Sequence, residues 1–209
     1  MTYQLEQVIK KNKVSETEMI DAHFFFVDIV GLSNHKLNSA EEQIKKINIM
    51  TKSIKSSMVF KTTNDEERLI LPTGDGMIIG FKRDMEKPLK LAIELHEKLN
   101  SYNKNKENTS KIKIRIGIHS APVLKFIDIK DQENFWGEGV ITSKRIMDLG
   151  ESDHILLSDK IARDLKQLSK YRKILHPIGE TEIKHGFKIG MHSAYGNGFG
   201  NKKNPKITK

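Results

Sequence analysis

The sequence predicts an α+β fold in which helices pack on one largely antiparallel sheet. Short apolar runs of strand length alternate with longer segments in which apolar residues recur at helical spacing. These elements follow one another in the order β-α-β-β-α-β, which is typical of a ferredoxin-like core, with further α and β elements after it. The 209 residues are enough for one domain with a sizeable core, and no long linker divides them.

The first strand is predicted at residues 23–30, because the run Phe24–Val27 is too apolar for an exposed strand. A helix is predicted over Ser39–Met58, with Ser39 as the N-cap and Glu42 as its capping-box partner. One face of this helix carries the apolar residues Ala40, Ile44, Ile47, Met50, Ile54 and Met58. Of these, Met50, Ile54 and Met58 are predicted to lie in the core.

A β-hairpin is predicted at residues 67–81, since apolar runs flank the turn sequence Pro72–Gly76. Pro88 fits the first turn of the next helix. Charged and apolar residues then alternate over 111–118, which predicts a half-buried strand, and residues 123–129 are predicted to be its partner.

The remaining elements complete the α+β pattern. They are a helix at 140–149 that ends at Gly150, a strand at 154–158, a helix at 159–168, and strands at 172–178 and 187–194. We divide the chain into an N-terminal helical extension (1–20), one main folded domain (21–196) and a basic C-terminal tail (197–209).

Composition excludes several classes of protein. Cysteine is absent, so there are no disulfides or thiolate metal sites. The sequence shows neither a membrane-spanning apolar run nor a secretory signal, and we expect a cytoplasmic protein without a membrane partner. The net charge is +9, but no DNA-binding motif accompanies it, and we expect no nucleic-acid partner. A basic cleft would suit a nucleoside triphosphate.

Two aspartates stand out because each lies beside glycine at the edge of an apolar run. Asp28 follows the strand that begins at Phe24, and Asp75 lies in the hairpin turn. Two carboxylates in such places suggest a shared cation, and hard oxygen ligands suit Mg²⁺ or Mn²⁺. The alternative is that Asp28 caps a helix and Asp75 simply forms a tight turn.

Four blocks of the sequence resemble the class III nucleotidyl cyclase family in both order and spacing. They are FVDIVGLS, LPTGDGMIIGF, IRIGIHSAPV and FWGEGVITSKRIMDLGESDHILLS, and the resemblance covers residues 22–195. The later blocks are most similar to small bacterial cyclases, including the Pycsar-type pyrimidine cyclases of anti-phage defence. The resemblance implies the family's sandwich fold and a head-to-tail homodimer with shared active sites.

The resemblance also implies roles for individual residues. Asp28, Asp75 and the carbonyl of Ile29 correspond to the ligands of two Mg²⁺ or Mn²⁺ ions per site. Arg145 corresponds to the arginine that stabilises the transition state, and it would come from the other chain. The residues that would meet the phosphates are Gly31, Leu32 and Ser33 in one turn, and Lys184, with Lys188 as a competing lysine.

The chain departs from the family at the positions that select the base. Leu71 stands where purine cyclases carry a lysine, and Asn134 stands where they carry an aspartate or similar group. Leu71 cannot hydrogen-bond a base edge, which favours UTP or CTP. Ile141 replaces the usual asparagine four residues before Arg145, which removes an expected polar contact.

Two residues keep alternative interpretations. Arg145 could form a surface ion pair with Asp148, three residues along the same helix. Trp136 could lie at the dimer seam or near the base, or it could pack in the core.

These features predict a metal-dependent cyclase that makes a 3′,5′-cyclic nucleotide and pyrophosphate from a nucleoside triphosphate. The expected product is cUMP or cCMP, made for anti-phage signalling and sensed by a separate effector. One alternative is an adenylate or guanylate cyclase. The other is a non-catalytic nucleotide-binding homologue, which Ile141 favours.

Overall fold

The computed structural model describes residues 18–34, 39–129, 131–183 and 187–205. In these residues the strands are β1 (Met19–Ile29), β2 (Arg68–Pro72), β3 (Gly76–Phe81), β4 (Ile114–Ile127), β5 (Glu133–Trp136), β6 (Ile155–Ser158), β7 (Leu175–Ile183) and β8 (Phe187–Ala194). The α-helices are α1 (Ala40–Lys55), α2 (Met58–Thr62), α3 (Lys87–Asn103), α4 (Glu138–Asp148), α5 (Asp159–Leu165) and α6 (Ser169–Arg172).

The eight strands form one sheet in the order β2-β3-β1-β4-β6-β8-β7, and β5 pairs with β4 off this path. Strands β4 and β6 are parallel, and the other pairs are antiparallel. The predicted α+β fold, with helices on a largely antiparallel sheet, is therefore confirmed. Strand β1 lies near the centre of the sheet, between β3 and β4.

The phenylalanine run of β1 is buried because both faces of this strand are covered. Phe25 and Val27 belong to the larger core, which also contains the buried residues of α1, α3 and α5. Phe24 and Phe26 point to the opposite face, where they pack with Val140 of α4. Alternate side chains of a strand point to opposite faces, so four consecutive apolar residues serve two cores.

The predicted start of the first long helix is confirmed in detail. The Ser39 hydroxyl accepts a hydrogen bond from the Glu42 amide, and the Glu42 carboxylate accepts one from the Ser39 amide. Met50 and Ile54 are buried as predicted. Met58 is 64% exposed, so its predicted place in the core was wrong. Helix α1 ends at Lys55 and α2 starts a new helix at Met58, so the helical spacing does not continue.

The apolar face of α1 is not buried along its whole length, because Ile44 is 59% exposed. The segment 123–129 was predicted to be a separate strand beside 111–118, and this was wrong. Residues 114–127 form the single strand β4, which stays paired with β1 through Ala121 and Pro122 and then pairs with β5. Nothing in this stretch requires a turn, so the extended chain continues.

Smaller differences concern helix ends and the termini. The helix predicted at 159–168 ends at Leu165 as α5, a separate short helix, α6, follows it, and β7 extends to Ile183. Residues 1–17 of the predicted N-terminal extension lie outside the described residues, and β1 begins at Met19. The described part of the basic tail is tied to the domain, because the Lys203 carbonyl lies 2.7 Å from Nε2 of His154.

None of the helices in the described part of the chain is long and apolar enough to cross a membrane.

Candidate active site

Asp28 is the penultimate residue of β1 and lies at one end of the sheet. Its neighbours in the register are Gly76 on β3 and Arg115 on β4. Because both neighbouring strands flank it, the residue is only 9% exposed. The alternative reading of Asp28 as a helix cap is therefore wrong.

Arg115 is the ion-pair partner of Asp28. Its Nε and Nη2 atoms donate to the same carboxylate oxygen, Oδ2, at 3.0 and 2.9 Å. Burial raises the pKa of the Asp28 carboxyl, the Arg115 hydrogen bonds oppose this, and the charge of Asp75 raises the pKa further. A buried carboxylate without such a partner would be costly.

Asp75 lies in the turn between β2 and β3, as predicted. The amide of Thr73 donates to the carbonyl of Gly76 at 3.1 Å, which closes the turn. Asp75 is half-buried, and it directly precedes Gly76, the register partner of Asp28 on β3. The hairpin thus brings together two aspartates that are far apart in the sequence.

The donor set at this end of the sheet fits hard divalent cations. It offers the carboxylates of Asp28 and Asp75 and the backbone carbonyl of Ile29, all oxygen donors. No cluster of three or more His, Cys, Asp or Glu side chains suited to a metal occurs among the described residues. Mg²⁺ needs no such cluster, because it is usually held by one or two carboxylates together with water and substrate phosphate.

The turn after β1, which holds three of the predicted phosphate-binding residues, contains a glycine in the left-handed region. Gly31 has φ 72°, in the left-handed region that favours glycine. Leu32 is 3% exposed and anchors the turn in the main core, whereas Ser33 is exposed. The remaining phosphate candidate, Lys184, lies outside the described residues.

Arg145 lies on α4, which covers the face of the sheet opposite to α1, α3 and α5. It borders a cavity of about 450 Å³. The other residues that line this cavity are Phe26, Leu71, Thr73, Ile78, Trp136, Val140, Ile141, Lys144 and Asp148. Leu71 and Ile141, the two apolar departures from the family pattern, therefore share one wall with Arg145.

The alternative ion pair between Arg145 and Asp148 is not formed. The Asp148 carboxylate instead lies 2.8 Å from Nζ of Lys144 and 3.6 Å from Nη2 of Arg115. Arg145 also borders a second cavity, of about 540 Å³, together with Glu138 and Lys188. Lys188, the competing candidate for the triphosphate lysine, is thus on the same side of the sheet as Arg145.

Asn134 is not brought to the cavity that contains Leu71. It lies on β5 in a smaller groove of about 210 Å³ that Arg68 and Lys125 also line. Its Oδ1 accepts a hydrogen bond from the Phe135 amide at 2.8 Å. Trp136, two residues further on, is 55% exposed, so the alternative that it packs in the core is wrong.

Sequence reasoning missed two features of this site. It did not single out Thr73, which lines the same cavity as Leu71. It also did not identify Arg115 as the ion-pair partner of Asp28. A threonine in a turn carries no distinguishing signal, and a pair formed by residues 87 positions apart depends on strand register.

Comparison with protein families gives one match that spans most of the chain. The model of the family described as "Adenylate and Guanylate cyclase catalytic domain" matches residues 14–195. None of the curated proteins compared with the chain matches it significantly.

Solved structures of cyclase domains share the fold. The guanylate cyclase domain of RhGC from Catenaria anguillulae, in complex with GTP, has a TM-score of 0.67 and 19% identity, over 85% of this chain and 98% of that one. The adenylate/guanylate cyclase/hydrolase from Silicibacter pomeroyi has a TM-score of 0.68 and 17% identity, over 87% and 100%. The adenylyl cyclase CyaB from P. aeruginosa has a TM-score of 0.63 and 16% identity, over 88% and 100%.

Proposed function

Since the chain belongs to the adenylate and guanylate cyclase catalytic domain family, we propose that it is a metal-dependent homodimeric cyclase that acts on a pyrimidine nucleoside triphosphate. The nucleotidyl cyclase activity follows from the family, and the metal, the assembly and the base are our own proposals. The reaction joins the ribose 3′-oxygen to the α-phosphorus and releases pyrophosphate, which gives a 3′,5′-cyclic nucleotide.

One observation carries the metal requirement: Asp75 directly precedes Gly76, the register partner of Asp28, so both aspartates lie at the end of the sheet where β1 finishes at Ile29. Two divalent ions bound at such a site would lower the pKa of the attacking hydroxyl and would neutralise part of the charge on the leaving pyrophosphate. The protein holds the two carboxylates on a central strand and a tight turn, which keeps them in place before substrate binds.

Arg145 is suited to the charge that grows on the phosphoryl oxygens, because a guanidinium stays protonated and presents a planar fork of donors. Neither cavity that borders Arg145 is lined by Asp28 or Asp75. This supports a site shared between two protomers, in which one supplies the aspartates and the other supplies Arg145.

The preference for UTP or CTP is supported by the lining of the cavity beside Arg145. Leu71, Ile78 and Ile141 present no hydrogen-bonding group, and Thr73 is a hydroxyl donor and acceptor close to them. Asn134 lies in the neighbouring groove in one protomer. The edge of a purine base would therefore find few hydrogen-bonding groups in the lining of this cavity.

Incubation of the purified protein with Mn²⁺ and each of the four nucleoside triphosphates tests the proposal. We expect cUMP or cCMP as the main product. Mainly cAMP or cGMP would overturn the pyrimidine assignment, and the absence of any cyclic product would favour a non-catalytic homologue. The loss of the asparagine contact at Ile141 is the feature that favours this last outcome.

We also propose that the product is a signal in anti-phage defence, sensed by a separate effector. The support is the resemblance of the later blocks to small bacterial cyclases, which include the pyrimidine cyclases of anti-phage defence. A phage challenge of cells that carry the gene with its genomic neighbours tests this role, with an Asp75→Asn strain as the inactive control. The cytoplasmic location stays a prediction.

A further inference from the structure

Arg115 contacts two carboxylates that belong to different parts of the site. Its Nη2 atom lies 2.9 Å from Oδ2 of Asp28 and 3.6 Å from Oδ1 of Asp148. Its Nη1 atom also donates to the backbone carbonyl of Asp148 at 3.4 Å. One guanidinium therefore bridges the candidate metal ligand on β1 and the last residue of α4.

The end of α4 offers Arg115 a second place to bind. Asp148 is the C-terminal residue of this helix, where carbonyl groups lack intrahelical partners and the helix dipole favours cations. The Asp148 side chain is 36% exposed and that of Asp28 is 13% exposed. A small rotation of the Arg115 side chain would shorten its contact to Asp148 and lengthen its contact to Asp28.

The same contact makes Arg115 a competitor of any cation at Asp28. A guanidinium within hydrogen-bond distance of this carboxylate satisfies its buried charge and repels a second cation nearby. A divalent ion that binds Asp28 must therefore share the carboxylate with Arg115 or displace Arg115 from it.

We propose that Arg115 is a positioning residue that exchanges between Asp28 in the metal-free protein and Asp148 when a divalent cation binds at Asp28. Asp148 then controls metal affinity as the alternative acceptor of the guanidinium. Because Asp148 lies three residues after Arg145 on α4, metal binding at one half-site also acts on the helix that carries the transition-state arginine. The inference rests on the metal site of the proposed function.

Lys144 opposes this exchange, since its Nζ atom lies 2.8 Å from Oδ2 of Asp148. Its removal should make Asp148 a stronger acceptor for Arg115. The variant Lys144→Gln thus perturbs the exchange without changing either Arg115 or Asp28.

Direct titration of the folded protein with Mn²⁺ in the absence of nucleotide, followed by water proton relaxation, tests the exchange. We expect Arg115→Gln to bind Mn²⁺ about tenfold more tightly, because a nearby positive charge is lost. We expect Asp148→Asn to bind Mn²⁺ at least about threefold more weakly than the unmodified protein. Arg163→Gln is the matched control, because this exposed arginine pairs with Asp159 on α5. Its affinity should equal that of the unmodified protein.

The double variant Arg115→Gln/Asp148→Asn separates the exchange from simple electrostatics. If Asp148 acts through Arg115, Asp148→Asn has little effect in the Arg115→Gln background. An equal loss of affinity in both backgrounds overturns the exchange, as does weaker or unchanged binding in Arg115→Gln.

Circular dichroism establishes which variants fold. If Arg115→Gln does not fold, Lys144→Gln decides the question together with Asp148→Asn: tighter Mn²⁺ binding that disappears in the Asp148→Asn background supports the exchange, and an equal gain in both backgrounds, or no gain, overturns it. Mn²⁺ binding that persists unchanged in Asp28→Asn would overturn the metal site and the exchange together. Failure of the exchange alone leaves Asp28-dependent Mn²⁺ binding in place, so the two failures are distinguishable.

Discussion

Asp28 and Gly76 face each other across the β1–β3 pair, and a Cβ atom on Gly76 would lie 2.2 Å from the carbonyl oxygen of Val27. The close neighbour is a backbone atom, so no side-chain rotation could relieve the contact. Glycine after Asp75 therefore allows the hairpin to pack against the end of β1 that carries Asp28.

Gly76→Ala tests this packing directly. We expect a loss of about 1–3 kcal/mol in the free energy of unfolding, because overpacking at a rigid contact forces the backbone to shift. Turnover should fall as well, since the shift separates Asp75 from Asp28. Urea denaturation and a cyclase assay measure the two effects, and a variant with unchanged midpoint and rate would contradict the explanation.

Asp28→Asn and Asp75→Asn should each reduce turnover at least about 100-fold with the fold intact, because each removes a charged metal ligand. Glu97→Gln, at an exposed position of α3, is the control for loss of one acidic charge. Product formation with Mn²⁺ is the measurement, and near-normal turnover by either aspartate variant would exclude the two-metal site.

Complementation tests the shared site. Asp75→Asn and Arg145→Ala should each be inactive alone and regain part of the activity when mixed, because a mixed dimer contains one intact site. Two affinity tags allow mixed dimers to be isolated and assayed. Mixed dimers that form and remain inactive would show that one chain supplies all three residues.

Base choice is tested by competition among equimolar ATP, GTP, CTP and UTP. We expect UTP or CTP to be consumed first, because Leu71 cannot make the hydrogen bond to the base that the lysine of purine cyclases would make. A site loses much of its preference for a base when such a bond is missing. Asn134→Ala should relax this preference more than it slows turnover. If Asn134→Ala leaves the preference unchanged, Thr73→Val identifies whether the hydroxyl in the cavity makes the selection.

Stability should fall in mild acid because His96 is buried as the neutral form. The residue is 2% exposed, and burial lowers its pKa to about 4 from the ordinary value of 6.5. As the pH falls from 6.5 to 4, the unfolded chain takes up a proton that the native state excludes, so the free energy of unfolding decreases. The decrease for this residue reaches about 3 kcal/mol.

Urea denaturation of the wild type and His96→Gln at several pH values between 7.5 and 4.5 isolates this contribution. The variant should show a shallower decline of stability with acid. Parallel pH profiles for the two proteins would mean that His96 is protonated equally in the native and unfolded states. His119, whose pKa burial also lowers to about 4, should account for a further part of the decline.

Patterns within a single element were sufficient for most of the fold. The capping box of Ser39 and Glu42, the hairpin turn that holds Asp75 and the buried run of β1 all follow from residues close together in the sequence. The errors arose at continuations, such as Met58 after the end of α1 and the unbroken course of β4 through Pro122.

The sequence by itself determined which segments are strands and helices, which sides of them are apolar, and which residues have the charge and donor groups that the chemistry requires. Those properties depend on neighbouring residues, because side-chain direction is set by the local backbone. Only the tertiary structure decided that Asp28 pairs with Arg115, that Asp148 shares this arginine, and that Asn134 lies apart from the cavity of Leu71. These relationships depend on strand register and on the packing of α4 against the sheet, which bring together residues from distant parts of the chain.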